Sequence, residues 1–334
     1  MSTWEHIVQT LALHCRSYLK RISLLLFLLL QGMNAHCSES GAGAITSPLA
    51  KTRDFWVWDL NIMPPGFRRA SATLRAEGKR SLIYVEDNYY GKEISPEFIQ
   101  RLKLQLEEKM PSGSLEPDTG IISFEEKLFG SLPTKITRDD RLIVLFADLG
   151  KFKDTQFDGF FNAFDQMPDA EAFKEFGQHS NEANVIYLNG FRVSESYTVG
   201  VIAHELHHLL ASTSGVEREN WLSESLAEGA MLLTGYYGDQ GHVNHFVENT
   251  WNISLVSPRY VQYGPQLLFS AFLLDSLPSA PGSAIGELTH MSQTGRDAVE
   301  KLFQERTQTP LSFDAIFNNF VSYVFDQSEQ KALL

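Results

Sequence analysis

Cysteine is nearly absent from this 334-residue chain: there are two, Cys15 and Cys37, and none between residues 38 and 334. That excludes a disulfide framework and any thiolate metal site in the body of the protein. Positive charge is also scarce. Lys plus Arg number 28 against 41 Asp plus Glu, a formal net charge of -13. A general nucleic-acid binder needs a basic face to displace counterions from phosphates, so that class of partner is not expected. Long hydrophobic runs are missing too. The longest, Ile22 to Leu30, is broken only by Ser23 and falls well short of the roughly 20 residues of a spanning helix.

That short run has Arg16, Lys20 and Arg21 before it and small or polar residues after it, the layout of a secretory signal peptide over residues 1–37. Cleavage after Ala35 is one expectation. Lipid attachment at Cys37 is the alternative and the only route to a membrane, although His36 stands where a lipobox has a small residue. The expected location is therefore secreted, periplasmic or cell-surface. Residues 38–50 are rich in Ser, Gly and Ala and read as a flexible leader, with an N-terminal extension continuing to residue 70.

Beyond that point the patterns support a domain over residues 71–334. Residues 71–76 and 80–85 read as strands turning at Gly78, and Ser95-Pro96 caps a helix. Residues 141–146 and 184–188 are short apolar runs typical of buried strands. After residue 194 the periodicity becomes helical, over 198–210, from Asn220, over 264–276 and over 297–325. The predicted class is α+β: an α/β lobe on a mixed sheet over 71–215, then a mostly helical lobe over 216–334.

The chemistry concentrates in His204-Glu205-Leu206-His207-His208. On a helix, residues four apart share a face, so His204 and His208 can direct two imidazoles at one metal ion. Glu205 then lies beside the ion, placed to take a proton from water that the metal has acidified. A catalytic zinc takes three protein ligands, and a following helix carries carboxylates in Trp221-Leu222-Ser223-Glu224-Ser225-Leu226-Ala227-Glu228. The competing reading makes these histidines ordinary polar positions on a surface helix. A metzincin arrangement is excluded, because Leu209-Leu210-Ala211-Ser212-Thr213-Ser214 supplies neither its glycine nor its third histidine.

The Trp-Leu-Ser-Glu segment resembles the Trp-Leu-Asn-Glu-Gly segment of gluzincin zinc metallopeptidases, with Ser225 where relatives often have glycine. Residues 180–188 and 263–269 resemble the hyicolysin-like branch of that clan, so the resemblance spans roughly residues 180–275. It implies a zincin-like two-lobed catalytic domain and Zn2+ held by His204, His208 and Glu224. Glu205 becomes the general base, with Glu228 behind a ligand histidine. Tyr263 becomes an oxyanion donor, against a plain core role. The implied partner is a protein or peptide pairing along an edge near residues 181–188, cut as by an endopeptidase. A catalytically silent surface binding protein is the alternative function.

Other residues carry weaker expectations. His207 faces away from the metal, while Tyr236, Tyr237, His242 and His245 line the cleft or serve as ordinary loop and core residues. Phe160 to Phe164, with Asp165 and Asp169, lack calcium-loop spacing and are assigned to packing and solvation.

Overall fold

Two of the six strands, β4 (Leu142–Ala147) and β6 (Asn184–Asn189), are buried along their whole length, which explains their unbroken apolar sequences. In the computed structural model they pair in parallel at the heart of one sheet with order β1-β2-β3-β4-β6-β5. The structure describes residues 51–134, 139–152, 156–191, 193–236, 241–250, 252–257, 262–277 and 282–332. The expected signal peptide, the lipid site at Cys37, the leader over 38–50 and Tyr237 lie outside them.

β1 (Thr52–Asp59), β2 (Gly66–Glu77) and β3 (Ser81–Glu86) form an antiparallel meander, and β3 joins β4 in parallel. The sheet thus begins some twenty residues before the expected domain start at 71. In β1, Phe55 and Val57 point into the core while Trp56 and Trp58 stay partly exposed, so aromatic residues on both faces hide the alternation. The sheet also curls. The Asn181 amide accepts from the Trp56 backbone N–H (2.8 Å) and donates to the Trp56 carbonyl (2.9 Å), acting as a one-residue strand against the open edge of β1.

The other edge corrects an expectation. β5 (Gly159–Phe161) pairs antiparallel with β6, so residues 186–188 are bonded on both sides and present no free edge. Among the described residues, β5 is the outermost strand on this side. Solvation of Asp165 is also overturned: it is fully buried, accepting from the Asn181 N–H (2.5 Å) and the Tyr187 hydroxyl (2.6 Å).

Helices cover the sheet and fill the second half of the chain. α1 (Pro96–Glu107) starts at Ser95, whose hydroxyl accepts from the Phe98 N–H, and buries Phe98, Ile99, Leu102 and Leu106 at helical spacing. α2 (Ile121–Phe129) and α3 (Asp169–Phe176) precede β6. After it come α4 (Glu195–Ser212), α5 (Asn220–Thr234), α6 (Gly241–Glu248), α7 (Gly264–Ser276), α8 (Ser283–His290), α9 (Gly295–Thr307) and α10 (Phe313–Ala332). The N-terminal sheet and C-terminal helices make this the expected α+β fold. The helical pattern over 297–325 falls in two helices, the first ending at Gln308, which has φ 57°. Ala50–Phe173 and Gln178–Leu334 belong to one compact unit, within which the sheet lies in the first half of the chain and most helices in the second.

Candidate metal centre

α4 is the central helix of the site. Ser194 caps it with extended backbone, and its N–H donates to the Thr198 hydroxyl at 3.1 Å. At the far end Ser212, Thr213 and Ser214 each donate a hydroxyl back to the carbonyl three residues earlier, and Gly215 turns the chain at φ 66°. Most of its residues are buried, including His204, Glu205 and His207, which rules out the surface-helix reading of the motif.

α5 carries the third donor and is anchored at its start by Trp221. That side chain is 2% exposed, packs edge-on to Phe269 and Phe313, and donates its indole N–H to Glu219 at 2.9 Å. Burying a ring of that size contributes on the order of 4–6 kcal/mol, enough to hold the first turn of α5 and so the height of Glu224. Ser225, where relatives often have glycine, is fully buried and donates its hydroxyl to the Trp221 carbonyl.

The helix spacing brings the three expected ligands together. His204 Nε2 lies 3.2 Å from His208 Nε2 and 3.1 Å from Glu224 Oε2, and His208 Nε2 lies 3.7 Å from Glu224 Oε1. One donor atom from each falls within 4.8 Å of the others. Zinc bonds of roughly 2.0–2.1 Å in a tetrahedron put neighbouring donors about 3.3 Å apart, so these residues fit such an ion in spacing and in donor type. The set forms the one candidate metal group among the described residues, and its donor types alone do not select zinc.

The surroundings orient the donors. Glu228 Oε1 lies 3.2 Å from His204 Nδ1, a contact that holds the ring with Nε2 toward His208 and Glu224. The Ser223 hydroxyl is 3.5 Å from His208 Nδ1 and steers the second ring from the neighbouring helix. Burial works against charge on His204, but Glu224 and Glu228 outweigh it and raise its pKa well above the ordinary value. Burial likewise opposes ionisation of Glu224, yet the two histidines hold its carboxyl far below the usual range. This concentration of negative charge against two imidazoles attracts a cation.

Glu205 is buried beside the donors without joining them. Burial raises its pKa, while the two histidines and the Phe161 backbone N–H, hydrogen-bonded to its carboxylate, pull the other way. His207 faces elsewhere, as expected: it is fully buried, with Nε2 3.1 Å from the Thr289 hydroxyl and its ring edge against Phe129. Burial drives its pKa far down, so it stays neutral.

A cleft of about 970 Å³ opens onto His204, Glu205 and Glu228. Phe157, Asp158 and Gly159, leading into β5, line it together with the apolar Val201, Met231, Val243 and Leu267. Tyr263 lines it, 39% exposed, with its ring centroid 6.0 Å from that of His204, which removes the core alternative for this residue. Burial, with Glu224, Glu205 and Glu228 nearby, pushes the phenol well up, so it is a donor at neutral pH. His242 lines the cleft; Tyr236 is buried outside it, and His245 is absent from its lining.

Two contributors to the site, β5 and Ser223, carry no readable sequence signal, and neither does the burial of Glu125 outside it. β5 is three residues long, below the length at which alternation can be recognised. Ser223 is one of many serines. Glu125 in α2 is fully buried, and neither carboxylate oxygen has a hydrogen-bond partner among the described residues. No protein-family profile and no curated protein matches this chain.

Proposed function

We propose that this chain is an exported zinc-dependent metallopeptidase that hydrolyses peptide bonds in extended substrates. The observation that carries the reading is the convergence of His204, His208 and Glu224 at one point, with Glu205 beside them at the base of an open cleft. A zinc ion held by these three side chains supplies Lewis acidity to a carbonyl and acidifies water.

The rest of the chemistry belongs to the chain. A substrate strand adds along the outer edge of the sheet at Gly159, where backbone hydrogen bonds form regardless of substrate sequence. The apolar wall of Val201, Met231, Val243 and Leu267 receives a substrate side chain beside the scissile bond. Glu205 takes one proton from the attacking water as its oxygen bonds to the carbonyl carbon. It then delivers that proton to the amide nitrogen as the C–N bond breaks. Tyr263 donates its hydroxyl hydrogen bond to the carbonyl oxygen as negative charge develops there.

The catalytically silent alternative has less support, because the base as well as the three ligands is present. Metal analysis of the purified chain, paired with hydrolysis of unfolded casein before and after chelation, tests the proposal. Stoichiometric zinc and chelator-sensitive cleavage are expected. Zinc without hydrolysis across varied substrates would favour a binding protein, and no zinc would remove both readings.

A further inference from the structure

Tyr263 has φ 57° and ψ -41°, a conformation that a residue with a side chain adopts at a cost of about 1–3 kcal/mol. The Gly264 N–H donates to the Gln262 carbonyl at 2.7 Å, closing a three-residue γ-turn centred on Tyr263. Two residues of α7 follow, and the Tyr263 carbonyl accepts from the Leu267 N–H at 2.8 Å. The direction of the phenol is therefore set by a strained backbone turn at the mouth of a helix.

Something must hold that turn, and Gly264 identifies it. A Cβ at this position would collide with the carbonyl oxygen of His242, come within 2.8 Å of its carbonyl carbon and meet the Phe246 Cβ at 3.0 Å. Gly264 is not among the residues with positive φ, so space alone requires the glycine. Phe246 is buried behind the contact. The His242 ring lies 5.6 Å from that of Tyr263, and the His204 ring lies 6.0 Å from it. Backbone of α6 thus presses directly on the turn, and two imidazoles flank the phenol it carries.

We infer that α6 holds the γ-turn and aims the Tyr263 hydroxyl into the cleft by two contacts together, the His242 backbone against Gly264 and the His242 ring beside that of Tyr263. Gly264 and His242 are positioning residues in this account, which rests on the peptidase reading above. Packing of α6 against α7 offsets the strain at Tyr263.

The test is a double-mutant cycle on the zinc-loaded protein with one peptide substrate. Tyr263→Phe should lower kcat by roughly 10²- to 10³-fold. Gly264→Ala should lower it by roughly 10- to 100-fold through misplacement of the donor, with metal content unchanged and KM little altered. The double variant should be no slower than Tyr263→Phe, because Gly264 acts only through the phenol. Multiplying losses would overturn the inference. If Gly264→Ala does not fold, His242→Ala takes its place, and His242→Phe should recover most of the lost turnover by keeping a ring against Tyr263. No recovery would mean that the imidazole itself acts on substrate, against the inference.

A second readout needs no catalysis. With 3-fluorotyrosine at position 263 of the metal-free chain, fluorine NMR should give one narrow line that broadens or splits in Gly264→Ala or His242→Ala. An unchanged line would overturn the clamp. A wild-type chain inactive on every peptide would instead defeat the peptidase reading, while the NMR comparison still decides the clamp.

Discussion

Glu228 Oε1 lies 3.2 Å from Nδ1 of His204, on the opposite side of the ring from the nitrogen that faces Glu224. The two carboxylates of α5, four residues apart, therefore grip one imidazole from both sides. Only Glu224 also reaches His208. Replacing Glu224 by Ala should remove most of the bound metal. Glu228→Ala should weaken affinity on the order of 10- to 100-fold, the usual cost of losing a group that orients a ligand. Zinc retained after graded dialysis ranks the two variants, and a larger loss in Glu228→Ala would exchange their roles.

Glu205→Gln separates binding from chemistry. The amide keeps the shape of the side chain but cannot take a proton from water. Metal content should stay at the wild-type level while hydrolysis falls by at least about 10²-fold. Substantial turnover by the purified variant would move the base elsewhere.

Glu125 should behave in the opposite way. Its carboxyl is buried in α2 with both oxygens unpartnered among the described residues, and burial pushes its pKa well up. An apolar side chain of similar size avoids that desolvation. Glu125→Leu should therefore raise stability by about 1–3 kcal/mol and leave zinc content alone. Denaturant midpoints and metal analysis together check this. Loss of metal in the variant would make Glu125 a part of the centre.

Asp165 gives the fold a pH dependence of defined sign. Burial pushes its pKa up to about 7, against the hydrogen bonds from Tyr187 and Asn181. The folded chain then holds a proton that the unfolded chain releases near pH 4. Stability from this residue is complete below about pH 4 and is lost as pH rises to about 7, at roughly 1.4 kcal/mol per pH unit. The stability difference between wild type and Asp165→Asn, followed from pH 4.5 to 8, should fall with that slope and flatten above 7. A constant difference would place the ionisation outside this range.

The parts of the site that could be read directly from residue order are those built by local geometry. His204 and His208 share a face because 3.6 residues make a helical turn, and Glu228 follows Glu224 on the same face for the same reason. The buried strands β4 and β6 announce themselves because both of their faces need apolar residues.

Nothing local distinguishes the rest. Phe160 and Phe161 become strand only because β6 lies beside them, and Asn181 closes the curl of the sheet only because Trp56, 125 residues earlier, stands opposite. Asp165 looks like a solvated loop acid until Tyr187 and Asn181 enclose it. Residue order by itself determined which side chains form the candidate metal group, since that depends on residue type and helical spacing. Tertiary structure alone decided which strand flanks β6, which acids are buried and that Tyr263 lines the cleft. Those outcomes depend on contacts between segments far apart in the chain, whose burial and excluded volume exist only once the helices have packed.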